Sequence, residues 1–99
     1  ESNHDIRMLE NGPYPYYLKR RILGAQGHLS NECCAAELPF LAQNGTTRFF
    51  LGHLSKENNF PDLAYNTALA ALQQAGLREG KDFLLSVAPR GADAPVMVL

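Results

Sequence analysis

Three histidines stand in this sequence, and two of them occur in the same tetrapeptide. Gly27-His28-Leu29-Ser30 returns as Gly52-His53-Leu54-Ser55, and each copy is followed shortly by an acid, Glu32 or Glu57. Imidazole titrates nearest neutrality, serves as a general acid or base, and is the commonest protein ligand for metals. The glycine before each histidine permits close approach of backbone, and the serine after it can cap a following helix. The third histidine belongs to Glu1-Ser2-Asn3-His4-Asp5, a polar cluster dense in the same chemistry. Glu1 and Asp5 are the acids placed to orient an imidazole, the usual support of a ligating histidine. The plain alternatives are a histidine hydrogen-bonded near a helix start, a solvated Glu1 and a helix-capping Asp5. Duplication of the tetrapeptide together with the His4-Asp5 cluster favours a site.

The elements that position these residues follow from caps and periodicity. Asn3 or Asp5 caps a short helix through Ile6, Met8 and Leu9, which Asn11-Gly12 ends with its tolerance for positive φ. Gly12-Pro13-Tyr14-Pro15-Tyr16-Tyr17 is a rigid aromatic turn. A second helix runs from about Pro15 to Leu23, with Leu18, Ile22 and Leu23 inward and Lys19-Arg20-Arg21 outward, before Gly24 and Gly27 break it. Ser30 caps a helix from Asn31 toward Gln43 that stops at Asn44-Gly45, and Pro39 is expected to kink or divide it after Leu38. Thr47-Arg48-Phe49-Phe50-Leu51 reads as a strand buried on both faces. Pro61-Asp62 opens a helix to about Ala75 with Tyr65, Ala68, Leu69 and Leu72 as its stripe and Gly76 as its cap. Phe83-Leu84-Leu85-Ser86-Val87 is a second strand, and Val96-Met97-Val98 a last short one.

From residue 30 onward the order is helix, strand, helix, strand, which is part of a layered α/β domain. His53 then falls where a strand ends and a loop begins, the place where open α/β sheets bind ligands. His28 and His53 can project toward one crevice, with a helix N-terminus nearby to favour an anion or phosphate.

Composition narrows the classes. Ninety-nine residues make one domain at most, and 45% hydrophobic with 19% charged residues is globular. A formal charge of -1 excludes a polybasic protein that holds nucleic acid by bulk charge. The apolar runs are too short for a transmembrane helix or a secretory h-region. The two cysteines, Cys33 and Cys34, are adjacent, a spacing that suits neither a zinc knuckle nor a redox pair and reads as two small buried groups on a helix. Lys19-Arg20-Arg21 and Tyr14, Tyr16 and Tyr17 could touch phosphates or stack bases, although such features more often make a solvated face and a packed loop. Lys56-Glu57-Asn58-Asn59 reads as a polar loop. No phosphate-cradling glycine loop or nucleophile elbow is present. Two or three strands make a poor sheet alone, and the chain opens on a polar cluster without Met. Both features read as a piece of a longer protein, cut just after a buried strand.

Three blocks carry a family resemblance. The first is Glu1-Ser2-Asn3-His4-Asp5 with Met8-Leu9, Gly12-Pro13-Tyr14-Pro15 and Leu18-Lys19-Arg20-Arg21-Ile22. The second is Gly27-His28-Leu29-Ser30-Asn31, and the third Leu51-Gly52-His53-Leu54-Ser55-Lys56-Glu57-Asn58-Asn59. With a weaker Val87-Ala88-Pro89-Arg90, they resemble the C-terminal half of a metallo-β-lactamase-fold hydrolase, in the WalJ/YycJ-like branch of bacterial cytoplasmic proteins.

The resemblance implies an αββα sandwich with a two-metal site at the edge of its sheets. It implies His53 as a metal ligand, His28 as a catalytic residue close to the scissile phosphate and Glu1 as the acid that orients it. His4 and Asp5 are then site-proximal. The family's His-x-His-x-Asp-His motif is missing from these residues. Residues 1–99 are therefore expected to be a single partial domain with the N-terminal half absent, lacking most metal ligands and inactive alone. The intact protein is expected to be a cytoplasmic phosphodiesterase or nuclease that uses two zinc or manganese ions on nucleic acid or another phosphodiester, with no membrane. The partial domain is expected to expose core surface and to pair with itself as a homo-oligomer. The alternatives are a non-catalytic α/β binding module, or a small-molecule ester or thioester hydrolase on the same fold.

Overall fold

The computed structural model describes residues 1–24 and 27–89. The elements in chain order are α1 (Ile6–Asn11), α2 (Tyr16–Leu23), α3 (Asn31–Gln43), β1 (Arg48–Leu51), α4 (Pro61–Gln74) and β2 (Leu84–Val87). Among the described residues the strands form one two-stranded parallel sheet, with Arg48 opposite Leu84 and Leu51 opposite Val87. Parallel neighbours need a long crossover, and α4 supplies it. The order helix, strand, helix, strand from residue 30 is therefore observed. Val96-Met97-Val98 lies outside the described residues.

Local signals explain most boundaries. The Ser30 hydroxyl accepts the Cys33 N–H at 3.0 Å and starts α3. Asp5 does the same for Met8 in α1, at 3.0 Å. Pro61 opens α4, where its missing N–H costs nothing. Gly45 and Gly76, at φ of 107° and 83°, take the left-handed turns after α3 and α4.

The core is a single cluster. Cys34 and Leu38 of α3, and Ala64, Ala68 and Leu72 of α4, close over Phe49 and Leu51 of β1 and Leu85 of β2. The Phe49 and Phe83 rings meet edge to face with centroids 6.4 Å apart. Tyr65 and Leu69 flank the α4 stripe and are half-buried.

Several expectations are corrected. Pro39 does not divide α3, which runs through it. The helix forgoes one ladder hydrogen bond there, while Cys34, Ala35 and Leu38 keep the buried face continuous. β1 is covered on one face only, since its burial alternates and Phe50 is 42% exposed. Helices lie over one side of the pair, and Phe50 and Leu84 stand on the other. On α2, Leu18 and Ile22 are half-buried but Leu23 is exposed, and no α2 residue is fully buried. Lys19 does not simply point outward, because its Nζ donates to the Glu10 carbonyl at 2.7 Å. Of the two cysteines only Cys34 is buried, and Cys33 is exposed. Gly12 is extended rather than left-handed, with φ -84°. Its glycine is explained by crowding, as a Cβ there would sit 2.7 Å from the Met8 carbonyl oxygen. No helix among the described residues is long and apolar enough to cross a membrane.

Candidate active site

Residues 1–5 run as an extended strip between the two Gly-His-Leu-Ser segments and join them. The Ser2 N–H donates to the Gly52 carbonyl (2.9 Å) and the Asn3 N–H to the Leu29 carbonyl (2.9 Å). The Asn31 and Ser55 N–H groups donate back to the carbonyls of His4 (2.8 Å) and Asn3 (2.7 Å). Beneath the strip Asn31 and Asn59 form a reciprocal amide pair, each Nδ2 donating to the other's Oδ1 at 2.9 Å. Ser2 Oγ donates to Asn31 Oδ1 at 2.5 Å, and Asn59 Nδ2 also reaches the carbonyls of Ser2 (3.0 Å) and Asn3 (3.1 Å). All of these side chains are buried except that of Asn3. Lys56-Glu57-Asn58-Asn59 is the polar loop expected, with Lys56 and Glu57 exposed and Asn58 and Asn59 buried.

The strip delivers Glu1 between the two repeated histidines. Glu1 Oε2 lies 3.0 Å from His28 Nδ1 and 3.4 Å from His53 Nδ1, while its Oε1 accepts the Leu29 N–H at 2.7 Å. Burial pushes the Glu1 carboxyl up, but the Leu29 N–H and His28 outweigh it and hold the group below its ordinary value. The carboxylate is thus ionised at neutral pH, and each ring turns its Nδ1 toward it. His53 is 82% exposed and adopts φ 59°, a left-handed conformation rare outside glycine, and its carbonyl accepts from Asn3 Nδ2 at 2.7 Å. Backbone strain of this kind concentrates at functional positions.

His4 is buried to 1% exposure. Its Nδ1 lies 3.2 Å from Asn3 Oδ1, and Nε2 has no partner among the described residues. With Glu1, His28 and Cys33 it lines a pocket of about 400 Å³. Asp5 is used as the α1 cap. The structure thus brings Glu1, His28 and His53 into one cluster, sets His4 behind it, and commits Asp5 to the helix.

Two glycines that look equivalent in the repeat are not. A Cβ at Gly27 would lie 2.2 Å from the Ile22 carbonyl oxygen and 2.5 Å from that of Arg21, whereas one at Gly52 would meet nothing within 4 Å. Close approach is required only in the first copy. Gly27→Ala is expected to cost about 2 kcal/mol by overpacking against backbone, and Gly52→Ala within about 0.5 kcal/mol, both read from urea unfolding.

Burial lowers the His4 pKa below the ordinary 6.5, and the charge of His28 adds to this against the opposing pull of Glu1 and Asp5. The folded state therefore prefers neutral His4. Its contribution to stability is complete above pH 6.5 and is lost as pH falls through 6.5 toward the lowered folded value. Urea midpoints measured from pH 7 to pH 5 should fall in the wild type and fall less in His4→Gln.

A second cleft of about 450 Å³ opens beside the cluster, lined among others by Tyr14, Arg21, His28 and Asn58. Arg21 is the one member of Lys19-Arg20-Arg21 that lines this cleft, since Lys19 is tied to Glu10 and Arg20 lies over the Tyr16 ring at 5.9 Å.

A metal centre needs more donors than this cluster supplies. No three His, Cys, Asp or Glu side chains among the described residues group so as to hold an ion. Both Glu1 oxygens are engaged, and the two imidazoles have only their Nε2 atoms left to offer. These residues do not form a metal site by themselves.

Exodeoxyribonuclease WalJ of Streptococcus pneumoniae strain D39 is 48% identical to this chain over 83 residues, as is that of strain R6. Exodeoxyribonuclease YycJ of Bacillus anthracis is 40% identical over 83 residues. In sequence, the chain resembles part of the WalJ/YycJ exodeoxyribonucleases. The match covers 84% of this chain and 31% of each WalJ or YycJ protein. No protein-family profile matches the chain, and no solved structure does.

The buried asparagines and Ser2 are the positioning residues that sequence reasoning missed. The only local signal was an asparagine closing each repeated segment, Asn31 after the first and Asn58-Asn59 after the second.

Proposed function

We propose that the protein to which this chain belongs hydrolyses phosphodiester bonds of DNA as a cytoplasmic, metal-dependent nuclease of the metallo-β-lactamase superfamily. The observation that carries this reading is the Glu1 carboxylate held between His28 and His53 at the junction of the two segments. The names of the WalJ and YycJ relatives support DNA as the substrate.

Because His53 turns Nδ1 toward Glu1, its Nε2 is the atom free to ligate a metal, the usual pairing of a carboxylate behind a ligating imidazole. The remaining ligands of a two-ion zinc or manganese centre would come from sequence beyond these residues. Such ions supply an activated water and neutralise charge developing on phosphate oxygens.

The chain's own residues position and protonate. Glu1 accepts from His28 Nδ1 and fixes its ring, which leaves Nε2 to hold a proton against a phosphate oxygen or the leaving oxygen. Arg21 adds a cation at the neighbouring cleft. The uncovered sheet face with Phe50 and Leu84 would lie against the rest of the sandwich. Left open, that face would pair with a second copy.

The test is hydrolysis of linear DNA by the longer protein with zinc or manganese, comparing wild type with His28→Ala and Glu1→Gln. Metal-dependent release of nucleotides that depends on both residues is expected. DNA left intact under every metal condition overturns the reading.

A further inference from the structure

The ring of His53 has little to hold it. It is largely exposed, and its contact with Glu1 is 3.4 Å, long for a hydrogen bond, where His28 makes the same contact at 3.0 Å. Its direction therefore comes from its backbone, which is left-handed at φ 59°. A residue with a Cβ keeps such a conformation only where its surroundings impose it. Among the described residues, the strip meets this stretch through three hydrogen bonds. The Ser2 N–H donates to the Gly52 carbonyl (2.9 Å), the Ser55 N–H to the Asn3 carbonyl (2.7 Å), and Asn3 Nδ2 to the carbonyl of His53 itself (2.7 Å). The first two run from backbone to backbone and would form with other residues at positions 2 and 3. The third needs a side chain that donates from position 3.

The Asn3 amide is itself oriented. A carbonyl oxygen at 2.7 Å can be met only by the nitrogen end of the amide, so the oxygen end faces His4 Nδ1 at 3.2 Å, and that ring nitrogen carries the proton. His4 is buried and has no room to turn away. We propose that Asn3, set by His4, is the positioning residue of His53. Its amide fixes the left-handed backbone that turns Nδ1 of His53 toward Glu1 and leaves Nε2 available. His28 is held differently, since Glu1 secures it through the ring and through the Leu29 N–H at 2.7 Å. The use made of the positioned ring rests on the phosphodiester reading, whereas the clamp is a matter of backbone geometry.

The test uses the longer protein, labelled for NMR, as wild type, as Asn3→Ala, and as Ser2→Ala, which loosens the same strip at a neighbouring point. In the wild type, one Asn3 side-chain amide proton is expected to be protected from exchange, and the His53 backbone carbon shifts should be those of a left-handed residue. In Asn3→Ala the His53 shifts should leave that range while the His28 ring shifts stay in place. In Ser2→Ala His53 should remain left-handed. Hydrolysis of DNA by Asn3→Ala should fall about 10–100-fold, the usual loss when a group that orients an active imidazole is removed. A left-handed His53 in Asn3→Ala overturns the clamp. So does a variant in which His28 and His53 move together, because Asn3 is then only one more support of the strip. An Asn3 amide that exchanges as a free side chain in the wild type overturns it as well, even if Asn3→Ala does not fold. A displaced His53 with unchanged hydrolysis overturns the positioning role and leaves the phosphodiester reading to His28→Ala. If the wild type leaves DNA intact, the phosphodiester reading fails, and the His53 shifts still decide the clamp.

Discussion

Asn59→Leu is expected to destabilise the folded chain by about 3 kcal/mol or more, as each buried polar group left unpaired costs about 1–3 kcal/mol. Leucine matches asparagine in branching and heavy-atom count and is no smaller, so no cavity opens and the lost hydrogen bonds dominate the effect. The Asn59 amide serves five partners: the Asn31 oxygen and nitrogen, the carbonyls of Ser2 and Asn3, and the Phe60 N–H at 2.9 Å. Asn31 is 1% exposed and loses both of its bonds to Asn59 at once. Water cannot replace them without opening the strip formed by residues 1–5. Asn59→Asp should also destabilise, because it removes the donor and places a charge in the same buried position. The measurement is the urea midpoint with slope, combined with the His28 and His53 ring shifts. Loss of stability and of the Glu1 contact should occur together, since Ser2 and Asn3 hold Glu1 in place. A midpoint that moves by less than about 1 kcal/mol would mean that the amide pair is dispensable.

What the sequence revealed and what it hid divide along the range of the interactions. Ser30, Asp5 and Pro61 act on the next three residues, and the helices begin where those residues say. The apolar run at Phe49-Phe50-Leu51 identified β1, but a run of apolar residues cannot report how many faces are covered. With one helical layer over the sheet, Phe50 stays open. Pro39 was read from backbone chemistry alone, and packing of α3 against the core outweighed it. The site was legible in its members, because the repeated tetrapeptide singled out His28 and His53 and the opening cluster singled out Glu1. Its assembly was not. The bonds that join Ser2 to Asn31 and Asn3 to Asn59 span 29 and 56 positions, and no local pattern marks an asparagine in a polar stretch as buried.

In the longer protein His28→Ala is expected to lower the rate of DNA hydrolysis by about 10²–10⁴-fold, the usual contribution of a positioned proton-transfer group. Glu1→Gln is expected to lower it by about 10–100-fold, as for other groups that orient an active imidazole from behind. The difference follows from geometry. On the proposed reading His28 would offer a ring nitrogen to the reacting phosphate, whereas Glu1 would act through that ring, which it holds at 3.0 Å while accepting the Leu29 N–H at 2.7 Å. Glutamine can keep an acceptor for one of these but not the charge that both rings face. With its pKa held below the ordinary 4.5, Glu1 is ionised at neutral pH and presents its charge to both rings. Its replacement should therefore move the pH profile of the rate as well as its height. A purely structural role for Glu1 would lower the fraction of folded protein and leave that profile in place. If Glu1 works only through His28, the double variant should be no slower than His28→Ala alone, because residues acting as a unit are not additive. If instead the two losses multiply, Glu1 has a separate role toward His53, whose Nδ1 lies 3.4 Å from the same oxygen.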